Sequence, residues 1–496
     1  MQMTLTLKKN TDTFLLHVST TLFLLILITF LKIYALTVSP LELSVDEAQY
    51  WDWSNKFDFG YFSKPPLIAW LISISTSVFG NDEWSVRLFA PIIHFFISII
   101  LWITSSELFN RKSGTYAALI WSLLPLTSFG SFIISTDTPL LFFWSLCLLS
   151  TIKIIKNESK LWSILLGISI GLGFLSKYAI VYFAILVTVF WILHSRNKVI
   201  KFNTLAISII ITLIIISPNI YWNTQNGLST LQHTIHNADI TGFDLNLDQA
   251  LIFFCSQFIV FGPILFLIYI FAVWNYFFQK LNLSTLAMFS APILFIILLQ
   301  ALLKTANANW AATAYPAACI LISGLLNKKN YFLKTFIWFG VFLNFLLFVF
   351  ILKISITGKI HPINLKSDPL RKLKGFQAQS ISIKEIIAFE KISGIVFDKR
   401  SDITRFNYYL NRNEKNKHNI YFLTNNVAPN NHYEYFYNFK NNNFNGNEKF
   451  IIITRNEGLE KGFINLFSEL ETLDKFVFQN SANTKRAIYI MKATLR

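Results

Sequence analysis

The chain has 496 residues, 53% of them hydrophobic and 14% charged, with a mean hydropathy of +0.48. Soluble domains carry roughly 25% charged residues, so this composition excludes an ordinary soluble enzyme and points to a polytopic membrane protein. Lys and Arg number 43 against 27 Asp and Glu, a net charge of +16; in a membrane chain that excess belongs to cytoplasmic loops and anionic headgroups rather than to nucleic acid.

In chain order, residues 1–13 form a short tail whose Lys8 and Lys9 assign it to the cytoplasm by the positive-inside rule. The apolar run 14–38 is too long for a signal h-region and lacks a small-residue cleavage site, so it reads as a retained first span. A polar first outer loop follows at about 39–86. Inside it, the apolar stretch 65–79 falls short of the ~18 residues that cross a bilayer. It predicts an interfacial helix opened by Pro65 and Pro66, where a missing N–H costs least.

Further spans are predicted near 86–107, 114–130, 136–152, 161–176, 178–193, 203–219, 250–276, 284–303, 309–326 and 331–353, about eleven in all by apolar length. The loops at 110–112, 153–160, 194–201, 279–280 and 327–329 are basic and fall on the side of Lys8 and Lys9. The loops at 128–139, 218–248 and 304–309 are poor in basic residues. As one helix, 161–193 would extend roughly 50 Å, so it is divided at 176–178, which places Lys177 on the outer side.

The membrane part thus covers 1–353. Residues 354–496 are polar and rich in Asn and Lys. They carry strand-like runs at 394–398, 419–423, 450–454, 476–478 and 487–491, helical patterns at 383–391 and 402–410, and a loop at 441–447. The fold class expected is a polytopic α-helical membrane protein, with interfacial helices in the first outer loop and a small C-terminal α/β domain outside the cytoplasm. Cys147, Cys255 and Cys319 all lie in apolar runs, so no disulfide framework is implied.

The chemistry-bearing residues gather on the outer side. Asp46 and Glu47 lie just beyond the first span, and Asp137 stands at the outer end of a later one. Two carboxylates meeting at one face suit acid/base or metal-assisted work, against the plainer reading of solvated loop acids. Lys64, Arg87 and Lys177 are cations on that side, against the positive-inside trend; they suit a lipid phosphate, or else anchor headgroups. His233, His236 and Asp239 share one face if helical, and would supply metal ligands or merely pack on the site. The aromatics Tyr50, Trp51, Trp53, Phe57, Phe59 and Tyr61 suit sugar stacking or an interfacial belt.

The stretch DEAQYWDW…GYFSKPPLIAWLI…FGNDEWSVR resembles the first outer loop of bacterial GT-C glycosyltransferases. These form the protein O-mannosyltransferase-like superfamily (glycosyltransferase families 39 and 83), which includes lipid A aminoarabinose, galacturonic acid and galactosamine transferases. The likeness continues in STDTPLLFFW, GLGFLSKYAIV, PNIYWNTQNGLSTLQHTIHNA, FGPILF and NANWAATAYPA, over roughly residues 14–350.

The resemblance implies an inverting enzyme with a polyprenyl (undecaprenyl) phosphate sugar donor. The acceptor would be lipid A or lipopolysaccharide core, at the periplasmic face of the bacterial inner membrane. It implies Asp46 as catalytic base, Asp137 as the second acid of the site and Lys64 on the donor phosphate with Arg87 close behind; by position and charge, Glu47 joins the catalytic candidates and Lys177 the phosphate-binding ones. Tyr50, Tyr61, His233, Asn309 and Trp310 are the candidates for binding substrate. Two positions depart from the pattern of the aminoarabinose transferases. Ser63 stands where they have a glutamate implicated in metal binding, and Gln49 where they have an arginine. His233, Lys177 and Asn309 are the candidates to fill that gap. No cofactor is assigned; a divalent metal is left open, with His233 and His236 as its candidate ligands. The alternatives are a protein O-glycosyltransferase with the same donor and, from another class, a lipid or sugar transporter, whose charges and broken helices belong at the bilayer midplane.

Overall fold

The computed structural model describes residues 2–496 apart from 158, 195–201, 239–244, 277–280, 361–367, 415–416, 427 and 482–483. Long apolar runs leave backbone hydrogen bonding to the helix alone, so the described apolar stretches up to residue 357 fold as helices. Among the described residues, six helices are long and apolar enough to cross a membrane: Val18–Thr37, Glu83–Leu108, Asp137–Lys156, Phe202–Gln225, Thr285–Leu303 and Tyr331–Thr357. A seventh candidate is the pair Leu247–Phe261 and Pro263–Asn275, bent by 108°. The bend falls at Gly262, whose φ of +95° suits glycine, followed by a proline that cannot donate to the preceding turn. Asn344 Nδ2 donates 3.2 Å to the Phe261 carbonyl freed there.

The remaining predicted spans are shorter or broken. Residues 114–130 divide at Leu124 into the helices Arg111–Leu123 and Pro125–Gly130, because Pro125 ends the hydrogen-bond ladder. Residues 309–326 become a 3₁₀ segment, Ala308–Ala314, and a short buried helix, Tyr315–Leu325. The run 161–193 divides where the lysine suggested: Lys160–Ser176, an extended Lys177, a 3₁₀ turn Tyr178–Ile180, then Val181–His194. The basic stretches at 195–201 and 279–280 lie outside the described residues. Trp121, Trp144, Phe183, Phe261 and Tyr315 fill the helical core. Phe23, Ile210, Leu213, Trp274 and Phe342 point outward, as a lipid-facing surface would have them.

The C-terminal domain is a five-stranded mixed sheet: β1 (Gly394–Phe397), β2 (Ile420–Phe422), β3 (Lys449–Thr454), β4 (Phe467–Ser481) and β5 (Thr484–Leu495). The order is β2-β1-β3-β5-β4, with β1 parallel to both neighbours and β5 antiparallel to β3 and β4. Val396 faces Ile452, which in turn faces Met491. The strand read at 476–478 is one piece of the much longer β4. Glu469, Glu471, Asp474 and Lys475 interrupt its apolar pattern, as suits an edge strand that must not pair further.

This domain is clamped to the first loop rather than tethered beside it. The expected interfacial helix, Leu67–Phe79, forms between Pro66 and Gly80 (φ +81°). Together with the helix Val45–Ser54 it shares one apolar core with the sheet, in which Trp51, Ile68, Tyr408, Phe397 and Ile451 pack. The Glu42 carboxylate accepts the Gly375, Phe376 and Gln377 N–H groups at 2.8–3.0 Å, capping the helix Phe376–Ala388. Arg412 pairs with Glu83 at 2.8 Å, and the Tyr408 hydroxyl donates 2.6 Å to the Asn81 carbonyl.

Candidate active site

Ser44 starts the site. Its hydroxyl accepts the Glu47 N–H at 3.3 Å while the Glu47 carboxylate accepts the Ser44 N–H at 2.9 Å, a capping box that fixes the helix Val45–Ser54. Consecutive side chains on that helix then part company. Glu47 turns inward and is fully buried, accepting Arg87 Nε at 2.8 Å, Arg87 Nη2 at 2.9 Å and the Ile134 N–H at 3.1 Å. Arg87 spends its remaining reach on the carbonyls of Leu41 and Glu42, both at 2.8 Å. Two of the expected site residues lie at the root of the loop. Arg87, expected on the donor phosphate, makes four hydrogen bonds to protein and is 2% exposed. Glu47, expected in the catalytic set, has both oxygens committed. Together they brace the root of the loop.

Asp46 turns outward, its side chain 63% exposed. Its Oδ1 accepts Arg400 Nη2 at 2.7 Å; among the described residues Oδ2 accepts no hydrogen bond. Asp137, in the first turn of Asp137–Lys156, is held by both oxygens: Lys177 Nζ donates to Oδ1 and Asn309 Nδ2 to Oδ2, each at 2.6 Å. Those partners arrive from the break at Lys177 and from the 3₁₀ segment, so three distant stretches meet at one carboxylate. Lys64, fixed by the Tyr61–Lys64 bridge ahead of the prolines, sits in the field of Lys177, Asp137, Asp46 and Arg400. Burial, then the neighbouring Lys177, push its ammonium pKa down, so an incoming anion would be welcome there. The Tyr50 phenol is buried beside Asp46 and Asp137 and its pKa is raised, by burial above all, which keeps it protonated as a donor.

Other expected residues take different parts. Tyr61, read as a substrate platform, is 5% exposed; its ring stacks on Trp53 at 4.9 Å and its hydroxyl lies 2.8 Å from the Lys56 carbonyl, so it braces the loop. His233 lies on the helix Ser229–Ala238, its ring 6.0 Å from Phe62, and that helix is tied to the loop by Thr230 Oγ1 donating 2.7 Å to the Tyr61 carbonyl. Trp310 packs against the helical core. The His236 side chain and Asp239 lie outside the described residues. Among the described residues no three His, Cys, Asp or Glu side chains group as metal ligands.

Sequence reasoning missed Arg400. It opens the helix Arg400–Asn411 in the C-terminal domain, and its Nε donates 2.8 Å to Gln49 Oε1 while Nη2 reaches Asp46. Lys177 and Asn309, candidates for the cation absent at Gln49, gather on Asp137 instead; the guanidinium beside Gln49 comes from 351 residues away. The one available signal was the Gln49 departure itself, which asked for a partner without naming it.

The fold is the GT-C glycosyltransferase fold. Superposed on the crystal structure of ArnT from Cupriavidus metallidurans bound to undecaprenyl phosphate, it gives a TM-score of 0.66 at 14% identity, over 97% of this chain and 98% of that one. The apo oligosaccharyltransferase of Archaeoglobus fulgidus gives 0.51 at 13% identity, over 79% and 64%. In sequence, residues 63–222 match the family described as dolichyl-phosphate-mannose-protein mannosyltransferase. Across 301 residues the chain is 32% identical to the lipid A galacturonosyltransferase RgtD of Rhizobium johnstonii, covering 60% of this chain and 63% of that protein. Across 146 residues it is 32% identical to the undecaprenyl phosphate-alpha-4-amino-4-deoxy-L-arabinose arabinosyl transferase of Wigglesworthia glossinidia brevipalpis, covering 27% and 25%. The matches thus span somewhat under two thirds of the first relative and a quarter of the second, and the resemblance read from the first-loop motifs is borne out.

Proposed function

We propose that the chain is an inverting glycosyltransferase that moves a sugar from an undecaprenyl phosphate carrier to lipid A or lipopolysaccharide core. In this reading the short helices complete an eleven-span body in the bacterial inner membrane, and the site and the C-terminal domain face the periplasm. The observation that carries the reading is the division of labour among the carboxylates. Of these three, and among the described residues, Asp46 keeps an oxygen open near the cations, whereas Glu47 and Asp137 have both oxygens engaged. The names of the curated relatives support the donor and acceptor classes.

The chemistry follows from those positions. An acceptor hydroxyl gives its proton to Asp46 Oδ2 as its oxygen attacks the anomeric carbon. The carbon–oxygen bond to phosphate breaks on the opposite face, which inverts the centre. The departing phosphate gains charge, and the fixed ammoniums of Lys64 and Lys177 stabilise it without reorganising. Asp137 holds Lys177 for that task. A membrane-anchored donor explains why the cations lie where the loop meets the helices. A transporter reading is less favoured, because the ionisable residues gather at one end of the helical body rather than at its middle.

Mass spectrometry of lipid A from cells carrying wild-type protein, Asp46→Asn or no protein tests this. A uronic acid, amino-sugar or hexose increment seen only with wild type is expected, since removing a general base costs ~10²- to 10⁴-fold in rate. No increment under any condition, with the missing mass found on envelope proteins instead, would replace lipid A with a protein acceptor, the choice the matched family's description favours.

A further inference from the structure

Arg400 stands at the site without a part in the transfer chemistry. Its position is set by domain docking. On the same helix Asn407 Nδ2 donates 2.8 Å to Asp52, Tyr408 meets Trp51 edge-on at 4.9 Å, and Arg412 pairs with Glu83. The guanidinium is therefore delivered to the helix Val45–Ser54 by a body that grips that helix elsewhere. One edge of its planar fork, Nε and Nη2, spans Gln49 and Asp46, which lie one helical turn apart.

An ion pair this open, with Asp46 63% and Arg400 38% exposed, adds little to folding. What it does bias is direction: with Oδ1 engaged by a fork that Gln49 also holds, Oδ2 is left as the carboxylate's open oxygen. The Nε–Nη2 edge is taken by Gln49 and Asp46, and Lys64 and Lys177 supply charge for the donor.

We infer that Arg400 is a positioning residue, through which the C-terminal domain orients Asp46 and makes sugar transfer depend on that domain being docked. The inference rests on the glycosyltransferase reading. The test uses the full chain in liposomes, with undecaprenyl phosphate-linked galacturonic acid as donor and purified lipid A as acceptor, comparing wild type with Arg400→Gln, Arg400→Lys, Asp46→Asn and the double variant D46N/R400Q.

Arg400→Gln is expected to lower kcat ~10- to 100-fold, the cost of a misplaced reacting group, with the donor KM unchanged and Arg400→Lys intermediate. The double variant should be no slower than Asp46→Asn alone, because Arg400 acts only through Asp46. Lys384→Ala, which removes only a surface pair with Glu414, is the control and should match wild type. Three results would overturn the inference: an unchanged kcat, a raised donor KM at constant kcat (making Arg400 a donor ligand), or a double variant slower than Asp46→Asn (making its role structural). A correctly inserted wild type inactive with undecaprenyl phosphate-linked galacturonic acid, 4-amino-4-deoxy-L-arabinose and hexose alike would overturn the glycosyltransferase reading, and this inference with it.

Discussion

The root and the mouth of the first loop use the same kinds of side chain for opposite ends. At the root, Glu47 and Arg87 are sealed from solvent and satisfy each other and four backbone groups, those of Leu41, Glu42, Ser44 and Ile134. At the mouth, Asp46 and Arg400 meet half in solvent and leave an oxygen open. Neighbouring acids on one helix thus differ in everything that matters chemically, and the difference lies in how many of their lone pairs the fold has already taken.

The sharpest way to break that comparison is at the root. Removing one member of a buried ion pair strands the other, at ~3–5 kcal/mol. Arg87→Ala should therefore deplete the protein from membranes and lower its thermal midpoint in detergent, whereas Asp46→Asn should do neither. A stable Arg87→Ala enzyme with a raised donor KM would return Arg87 to the phosphate site.

Lys64 probes the mouth next. Its depressed ammonium pKa, from burial and from Lys177, leaves it short of compensating anion until a phosphate arrives. Lys64→Ala should raise the donor KM ~10-fold, in line with one charge-assisted hydrogen bond of about 1.5–3 kcal/mol, with kcat less affected. An unchanged KM would leave Lys177 as the phosphate cation.

What the sequence showed and hid follows from the range of its signals. Apolar length announced the helical body, and the DE, KPP and STDTP motifs brought Asp46, Lys64 and Asp137 forward because each is local. The breaks inside 114–130 and 309–326, at Pro125 and at the Ala308–Ala314 turn, went unread because apolar runs do not reveal them. Arg87 looked like Lys64, since burial is not written in residue type. Arg400 was hidden altogether: its partners lie some 350 residues away, and only the docking of β1 and its following helix onto the loop brings them together.

Asp52 is the intermediate case on the same helix, and the subtlest test. It faces the C-terminal domain, accepting from Asn407 at 2.8 Å with the Tyr437 hydroxyl at 3.4 Å, and burial pushes its carboxyl up from 3.8 to about 6 despite those donors. A folded-state pKa above the unfolded one means the folded protein holds the extra proton. The stability from that proton is complete below 3.8 and is lost as pH rises through about 6. His432, which packs edge-on against Trp53, has the opposite sign: burial pushes its imidazole down to about 3, so its contribution is present above 6.5 and lost on acidification. Because His432 is common to both proteins, subtracting wild type from Asp52→Asn isolates the aspartate. The thermal midpoint of Asp52→Asn should gain on wild type as pH rises through about 6 and level off above it. A difference flat with pH would mean that Asp52 stays ionised at the domain junction, as open in its chemistry as Asp46.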